Sequence, residues 1–224
     1  SQCGQTVGRA VVMDVSRHLN RVVEFDPEAR TAWVEPGVVL DELNAFLKPH
    51  GLWFPVDVST GSRATIGGMA GNNSCGARSL HYGTMRDNVI AIDAILADGT
   101  EMHLGELPAD ISEAGFSPTQ RSTVEKLLAL GLREALEIDA RFPKMMRRVG
   151  GYNIDALVPS NKPINLSHLL VGSEGTLAYS KQIKIKLSVL PKNKVLGICH
   201  FPTFYEAMDS AQHLVKLDPA AVEL

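Results

Sequence analysis

Residues 65–83, TIGGMAGNNSCGARSLHYG, place five glycines and two adjacent asparagines in nineteen positions, with scarcely any large apolar side chain. Glycine loses more conformational freedom on folding than any other residue and weakens a regular element that contains it. A segment that concentrates glycine must therefore be compensated by something outside itself. The run lies within a longer stretch, residues 52–87, that shows no clear periodicity. A loop of that length inside a compact domain is usually functional or built around a ligand. Backbone bare of side chains allows close approach, and successive N–H groups can form a nest for an anion, most often phosphate. Asn72 and Asn73 tolerate left-handed conformations and offer amide donors and acceptors to an aromatic heterocycle or a sugar-alcohol chain. The alternative is a surface Ω-loop that holds itself together.

The rest of the chain narrows the choice. With 224 residues, 45% hydrophobic and 21% charged, it can form one large domain or two small ones. A formal net charge of −3 argues against a surface that tracks nucleic-acid phosphates. The longest apolar runs fall far short of the roughly 20 residues that span a bilayer, so no membrane span is expected. Nothing at the start resembles a secretion signal, and the expected location is cytoplasmic. Cys3, Cys75 and Cys199 stand far apart and make no CxxC pair, which fits neither a zinc ribbon nor a disulfide framework. GxGxxG and GxxxxGK[ST] are both absent, GSEG at 172–175 has the wrong spacing for a serine-hydrolase elbow, and no HExxH suggests a metal. The opening SQCGQTVG and the closing DPAAVEL both read as cut, with more protein expected beyond each.

Local pattern gives the elements. A short apolar run at 10–15 predicts a buried strand. Two β-rich runs at 22–25 and 31–35, around the turn DPEAR, predict a hairpin. Leu40, Leu43, Phe46 and Leu47 recur at helical spacing, with Gly51 placed to cap the C-terminus. Strands are predicted at 89–96 and 100–104 around a DG turn, and at 177–187. Helices are predicted at 117–130 and 132–140, broken near Gly131, the first with Ser117 as cap and Pro118 in the first turn. RFPKMMRRVGG, residues 141–151, predicts a linker or docking loop, and a strand at 195–200 followed by a helix at 202–217 predicts the start of a separate unit.

The run PVDVSTGSRATIGGMAGNNSCGARSLHYGTMRDNVIAIDAILADGT, with VEPGVVLDELN before it and GYNIDALV and GSEGTL after it, resembles the flavin-binding domain of the vanillyl-alcohol oxidase / p-cresol methylhydroxylase superfamily. Within that group it is most similar to D-lactate, glycolate and D-2-hydroxyglutarate dehydrogenases. GGMAGNNSCGARS is similar to the long members in which an iron–sulfur domain follows the flavin domain. The likeness extends as far as residue 190. It implies FAD as cofactor and a set of contacts. SQCGQTVG resembles the end of a pyrophosphate loop, giving Ser1, Gly4 and Gln5. Glu35, Pro36 and Gly37 match a motif near the adenine. Pro55, Thr60, Thr65, Gly67 and Gly68 would run along pyrophosphate, ribityl chain or ring. Asn72, Asn73 and Gly76 would lie near the isoalloxazine, with Tyr82 and Gly83 closing the turn. Asp87 and Val89 would approach the adenosine half, and Glu174 and Gly175 would stand beside the cofactor. Ala178 departs from the glycine usual there. The surroundings of Cys75 do not match the pattern of covalent flavin attachment, and Arg78 and His81, cations that near a flavin could bind a substrate carboxylate, read first as solvated surface.

The resemblance implies an α+β fold, a mixed or antiparallel sheet flanked by helices. Residues 1–193 would form the FAD-binding domain without its N-terminal subdomain, and residues 194–224 would begin a cap domain. The implied reaction is oxidation of a small D-2-hydroxy acid, with electrons passed to an acceptor such as a fused iron–sulfur domain. No catalytic residue is assigned, because the family's substrate-gripping groups come largely from the cap. A flavin-dependent sugar or sugar-nucleotide oxidoreductase of the same fold, and a binding domain that has lost its cofactor, are the alternatives. An open sheet edge would favour self-association.

Overall fold

A computed structural model describes residues 12–223, so Ser1, Gly4 and Gln5 lie outside the described residues. So do residues 10 and 11 of the first expected strand. The rest of that run, from Val12, is not a strand: Asp14 accepts from the N–H and hydroxyl of Ser16 and turns the chain, leaving Val12 and Met13 exposed. The hairpin follows as expected, β1 (Val22–Asp26) with β2 (Thr31–Val34). Asp26 Oδ1 shapes its turn by accepting from Glu28 and Ala29 N–H. Helix α1 (Leu40–Leu47) buries Leu40, Leu43 and Leu47 on one side. A single 3₁₀ turn then ends at Gly51, whose φ of 68° supplies the left-handed cap.

Residues 52–87 are not one long loop. They hold a two-residue strand, β3 (Leu52–Trp53), and three short helices, α2 (Ile66–Gly71), α3 (Ser79–Tyr82) and α4 (Met85–Asn88). Helices of one or two turns cannot repeat a buried face, which is why periodicity gives no sign of them. Beyond them, β4 (Val89–Leu96) and β5 (Glu101–Leu104) form the second hairpin. Helix α5 (Pro118–Arg133) runs past Gly131, and the break before α6 (Ala135–Arg141) falls at Glu134. Gly131 lies inside the helix, and it is glycine because a Cβ there would lie 2.2 Å from the carbonyl oxygen of Leu157. Its bare backbone serves a close approach, and the sequence offers the same letter for both uses.

After α7 (Ser167–Leu170), the long strand β6 (Ala178–Lys186) enters the middle of the sheet, in the order β1-β2-β6-β4-β5. Every neighbouring pair is antiparallel, which fixes the expected mixed or antiparallel sheet as antiparallel. Val34 pairs with Ile183 and Ala32 with Ile185, while Ile183 and Ile185 face Ile92 and Val89 on the other side. All six are buried, and each large aliphatic side chain so covered contributes about 2 kcal/mol. The opposite face carries Trp33, Lys184, Asp93 and His103, the period-two alternation of a sheet with one wet side. A two-residue strand, β7 (Ser188–Val189), pairs with β3. Residues 195–200 are not a strand: they have no pairing partner, and Val195 is 97% exposed. The last α-helix among the described residues, α8 (Phe204–Leu214), starts with a Thr203–Glu206 capping box and buries no residue.

Helix α5 is tied to the sheet at its first turn. Gln120 accepts from Ser117 N–H, and its amide donates to the carbonyl of Glu101 in β5 at 2.6 Å. Gln120→Ala is expected to cost about 1 kcal/mol in urea unfolding, the scale of a capping box plus one hydrogen bond.

Candidate functional site

The glycine-rich segment is joined to the EPG turn. Thr65 caps α2, and the first amides of that helix are used inside the fold: Ile66 donates to Val38, Gly67 to Pro36, and Gly68 to Thr65 Oγ1. A Cβ on Gly67 would lie 2.5 Å from Pro36 Cβ, so this glycine permits the crossing. Pro36 and Gly37 are buried, and Gly37 donates to Leu19 at 2.7 Å. Glu35 is buried as well, both its oxygens held by Arg21, whose hydrogen bonds keep the carboxyl below its usual range.

The other side of α2 is bare. Gly68 and Asn72 are exposed, Gly71 is half-buried between them, and the three share one helical face without a large side chain. The GSEG turn docks beside this face. Gly172 N–H donates to Ala70, and Glu174 N–H donates to Gly71, each at 2.9 Å. Gly172, Glu174 and Gly175 all have positive φ, and a side chain on exposed Gly175 would meet nothing within 4 Å. Asn73, also at positive φ, is buried and accepts from Arg86 N–H through Oδ1 at 3.0 Å.

A second wall is formed by residues 54–61, the segment of Pro55 and Thr60. Thr60 accepts from Arg63 and Ala64 N–H, closing a turn ahead of Thr65. Gly76 sits against Asp57, which also accepts from Arg78 N–H. A cavity of about 660 Å³ opens along this wall, lined by Phe54, Asp57, Ser59, Cys75, Arg78 and Arg147 among others. Tyr82, Gly83, Asp87 and Val89 belong to a separate turn. Tyr82 meets Trp53 edge to face, Gly83 has φ 77° against Asp87, Asp87 caps α4, and Val89 opens β4 in the core.

Sequence reasoning assigned no role to Arg86, Arg148, Asn153, Asp155 or His168, which form the polar network behind Asn73. Arg86 reaches Asn153 Oδ1 at 3.3 Å and Asp155 at 2.8 Å, and Arg148 reaches Asp155 at 2.7 Å. Asn153 is buried and donates to the carbonyls of Val171 and His168. Burial pushes the Asp155 carboxyl up, but Arg86 and then Arg148 outweigh it and hold it below its usual range. His168 is kept neutral, its pKa lowered to about 4 by burial first and the Arg86 guanidinium second. The available signal was a charge set among glycines and asparagines, in MRDN and in GYNID.

These features fit FAD. The bare face of α2, with the exposed GSEG turn docked against Gly71, lets a large ligand lie against backbone, and the Asn72 amide, which donates to Ser74 Oγ at 3.3 Å, keeps its second N–H and its oxygen for hydrogen bonds there. The description FAD binding domain belongs to the family that matches residues 1–105. A D-2-hydroxyglutarate dehydrogenase of Pseudomonas putida is 34% identical over 224 residues, 98% of this chain and 22% of that protein. The enzyme of that name from Escherichia coli is 33% identical over 223 residues, again 98% and 22%. A Danio rerio protein named Probable D-lactate dehydrogenase, mitochondrial, is 32% identical over 200 residues, 89% of this chain and 31% of its own. The chain thus spans about a fifth to a third of the relatives it matches. An alkyldihydroxyacetonephosphate synthase structure superposes with a TM-score of 0.55 at 20% identity, covering 92% of this chain and 28% of that one, a likeness of fold.

Proposed function

We propose that this chain, which matches the FAD binding domain family over residues 1–105, is a flavin domain of the vanillyl-alcohol oxidase / p-cresol methylhydroxylase superfamily and holds the FAD of an oxidoreductase acting on a D-2-hydroxy acid of the lactate, glycolate or 2-hydroxyglutarate type, a reading supported by its likeness to D-2-hydroxyglutarate dehydrogenases. The observation that carries this reading is the docking of the 172–174 turn onto 70–71, which sets Glu174 against Gly71 and so brings the exposed GSEG turn to the glycine-rich helix that carries Gly68 and Asn72. When bound, FAD would accept the hydride from the carbon that bears the hydroxyl. The chain's own part is to bind and orient. The α2 face offers backbone without side chains, Thr65 and Pro36 fix that helix, and Asn73 holds the following turn through Arg86. Among the described residues no helix is long and apolar enough to cross a membrane. We further assign the electrons to a fused iron–sulfur domain, to be tested by iron and sulfide analysis, and the protein to the cytoplasm, to be tested by fractionation.

The test is an absorbance spectrum of the full-length protein, purified and after addition of FAD. Flavin bands that bleach anaerobically on D-lactate, glycolate or D-2-hydroxyglutarate are the expected result, and the fastest of the three names the substrate. A protein that neither carries nor takes up FAD would overturn the reading.

A further inference from the structure

Arg86 stands where three segments meet, each placed by a different part of the chain. Its backbone N–H holds Asn73 after the glycine-rich helix. Its guanidinium holds Asn153 and Asp155 of GYNID, and Asn153 in turn grips the carbonyl of Val171 just ahead of GSEG. A brace between these segments needs hydrogen bonds and one ion pair. The structure supplies more charge than that. Arg148, stacked on Phe142, makes a second ion pair to Asp155, so two guanidiniums share one carboxylate. All three side chains are largely covered, at 23%, 17% and 26% exposure for Arg86, Arg148 and Asp155. Fields from partly buried charges are less screened by water and salt than those of surface ions. Asp87, the nearby carboxylate, is exposed and engaged with Thr84. His168 beside them remains uncharged, so it adds no countercharge of either sign.

We propose that Arg86 and Arg148, held by Asp155, are positioning residues that set a positive field behind the glycine-rich turn and so favour the reduced form of the flavin bound there. The inference rests on the flavin reading given above. A flavin that takes up a hydride gains two electrons and one proton, and without a further proton it carries one more negative charge than the oxidised form. A fixed positive field stabilises that form relative to the other, the kind of tuning a protein exerts on a cofactor. A purely mechanical role makes no such distinction between the two forms.

The experiment is a spectrophotometric redox titration of the full-length protein with FAD, comparing Arg86→Gln, Arg148→Gln and Asp155→Asn. Removing either guanidinium should lower the affinity for reduced relative to oxidised flavin about tenfold, roughly 30 mV more negative for a two-electron couple. Asp155→Asn should move the potential the opposite way, and Arg86→Lys should restore most of the Arg86→Gln shift. Potentials that do not move, or that move in one direction for all three variants while FAD stays bound, would overturn the inference and leave the flavin reading intact. If Arg86→Gln does not fold, Arg148→Gln and Asp155→Asn decide between the same outcomes by the sign of their shifts. Failure of the unsubstituted protein to bind FAD would overturn the flavin reading first, and this inference with it.

Discussion

Alanine at Gly76 is expected to destabilise the protein by about 3 kcal/mol, the upper part of the usual range for overpacking, and to abolish FAD retention. A Cβ at this position would lie 2.2 Å from Asp57 Oδ1, 2.4 Å from its Cγ and 2.5 Å from its backbone oxygen. Rotating the carboxylate away relieves only the first two contacts. The third requires residues 54–61 to move from the 75–79 turn, which widens the cavity between them and breaks the bond from Arg78 N–H to Asp57. Asp57→Ala in the same chain should therefore restore part of the lost stability and not all of it. Gly150 is the control: it has no positive φ, and a Cβ there meets nothing within 4 Å, so Gly150→Ala should change stability by less than about 0.5 kcal/mol. Urea unfolding of the variants measures the difference. Equal behaviour of Gly76→Ala and Gly150→Ala would show that the contact with Asp57 is not as close as described.

Stability should also fall as the pH drops from neutrality, by up to about 3 kcal/mol through His168 alone. Its pKa is about 4 in the folded protein against an ordinary 6.5. Below pH 6.5 the unfolded chain takes up a proton that the folded chain refuses, so the unfolded state gains. The stability contribution is whole above 6.5, is lost progressively as pH falls toward 4, and changes no further below that. The groups facing the imidazole have opposing effects: burial and Arg86 lower its pKa, while Asp87, Asp155 and the Val89 backbone raise it, the first pair prevailing. Asp155 and Glu35, both held below their usual range, lose their contributions only at more acid pH, below their ordinary values near 4. The two windows can be told apart by unfolding His168→Gln across pH 4 to 7. Its stability should be nearly flat where that of the unsubstituted protein slopes; an unchanged slope would assign the acid sensitivity to other groups.

What the sequence made legible was local. The β1–β2 hairpin, α1 with its Gly51 cap, the β4–β5 hairpin, the Ser117–Pro118 start of α5 and the long alternation of β6 each follow from residues a few positions apart. The Gly131 break was misplaced because a helix end and a close backbone crossing call for the same residue, and only the position of Leu157 tells them apart. Residues 195–200 have the composition of a strand, but a strand exists only where another pairs with it. In the candidate site, the glycines and asparagines were visible from their density, and their grouping came from resemblance. The Arg86–Asp155 contact spans 69 positions and leaves no periodic trace, so it was found only once the fold brought the two segments together.

The place of β6 has a consequence for how the molecule is made. Both hairpins can form as soon as they leave the ribosome, since each joins neighbouring strands. The sheet cannot close, because β6 must pair with β2 on one side and β4 on the other, and it is synthesised after both. Until residue 186 has emerged, the inner edges of β2 and β4 expose unpaired backbone and the apolar side chains that β6 will cover. Closing contacts so far apart in sequence slows folding, and open edges of this kind recruit other chains. Birth of the protein therefore includes an interval in which two half-sheets wait for the strand that joins them, and that interval is when a chaperone has most to do.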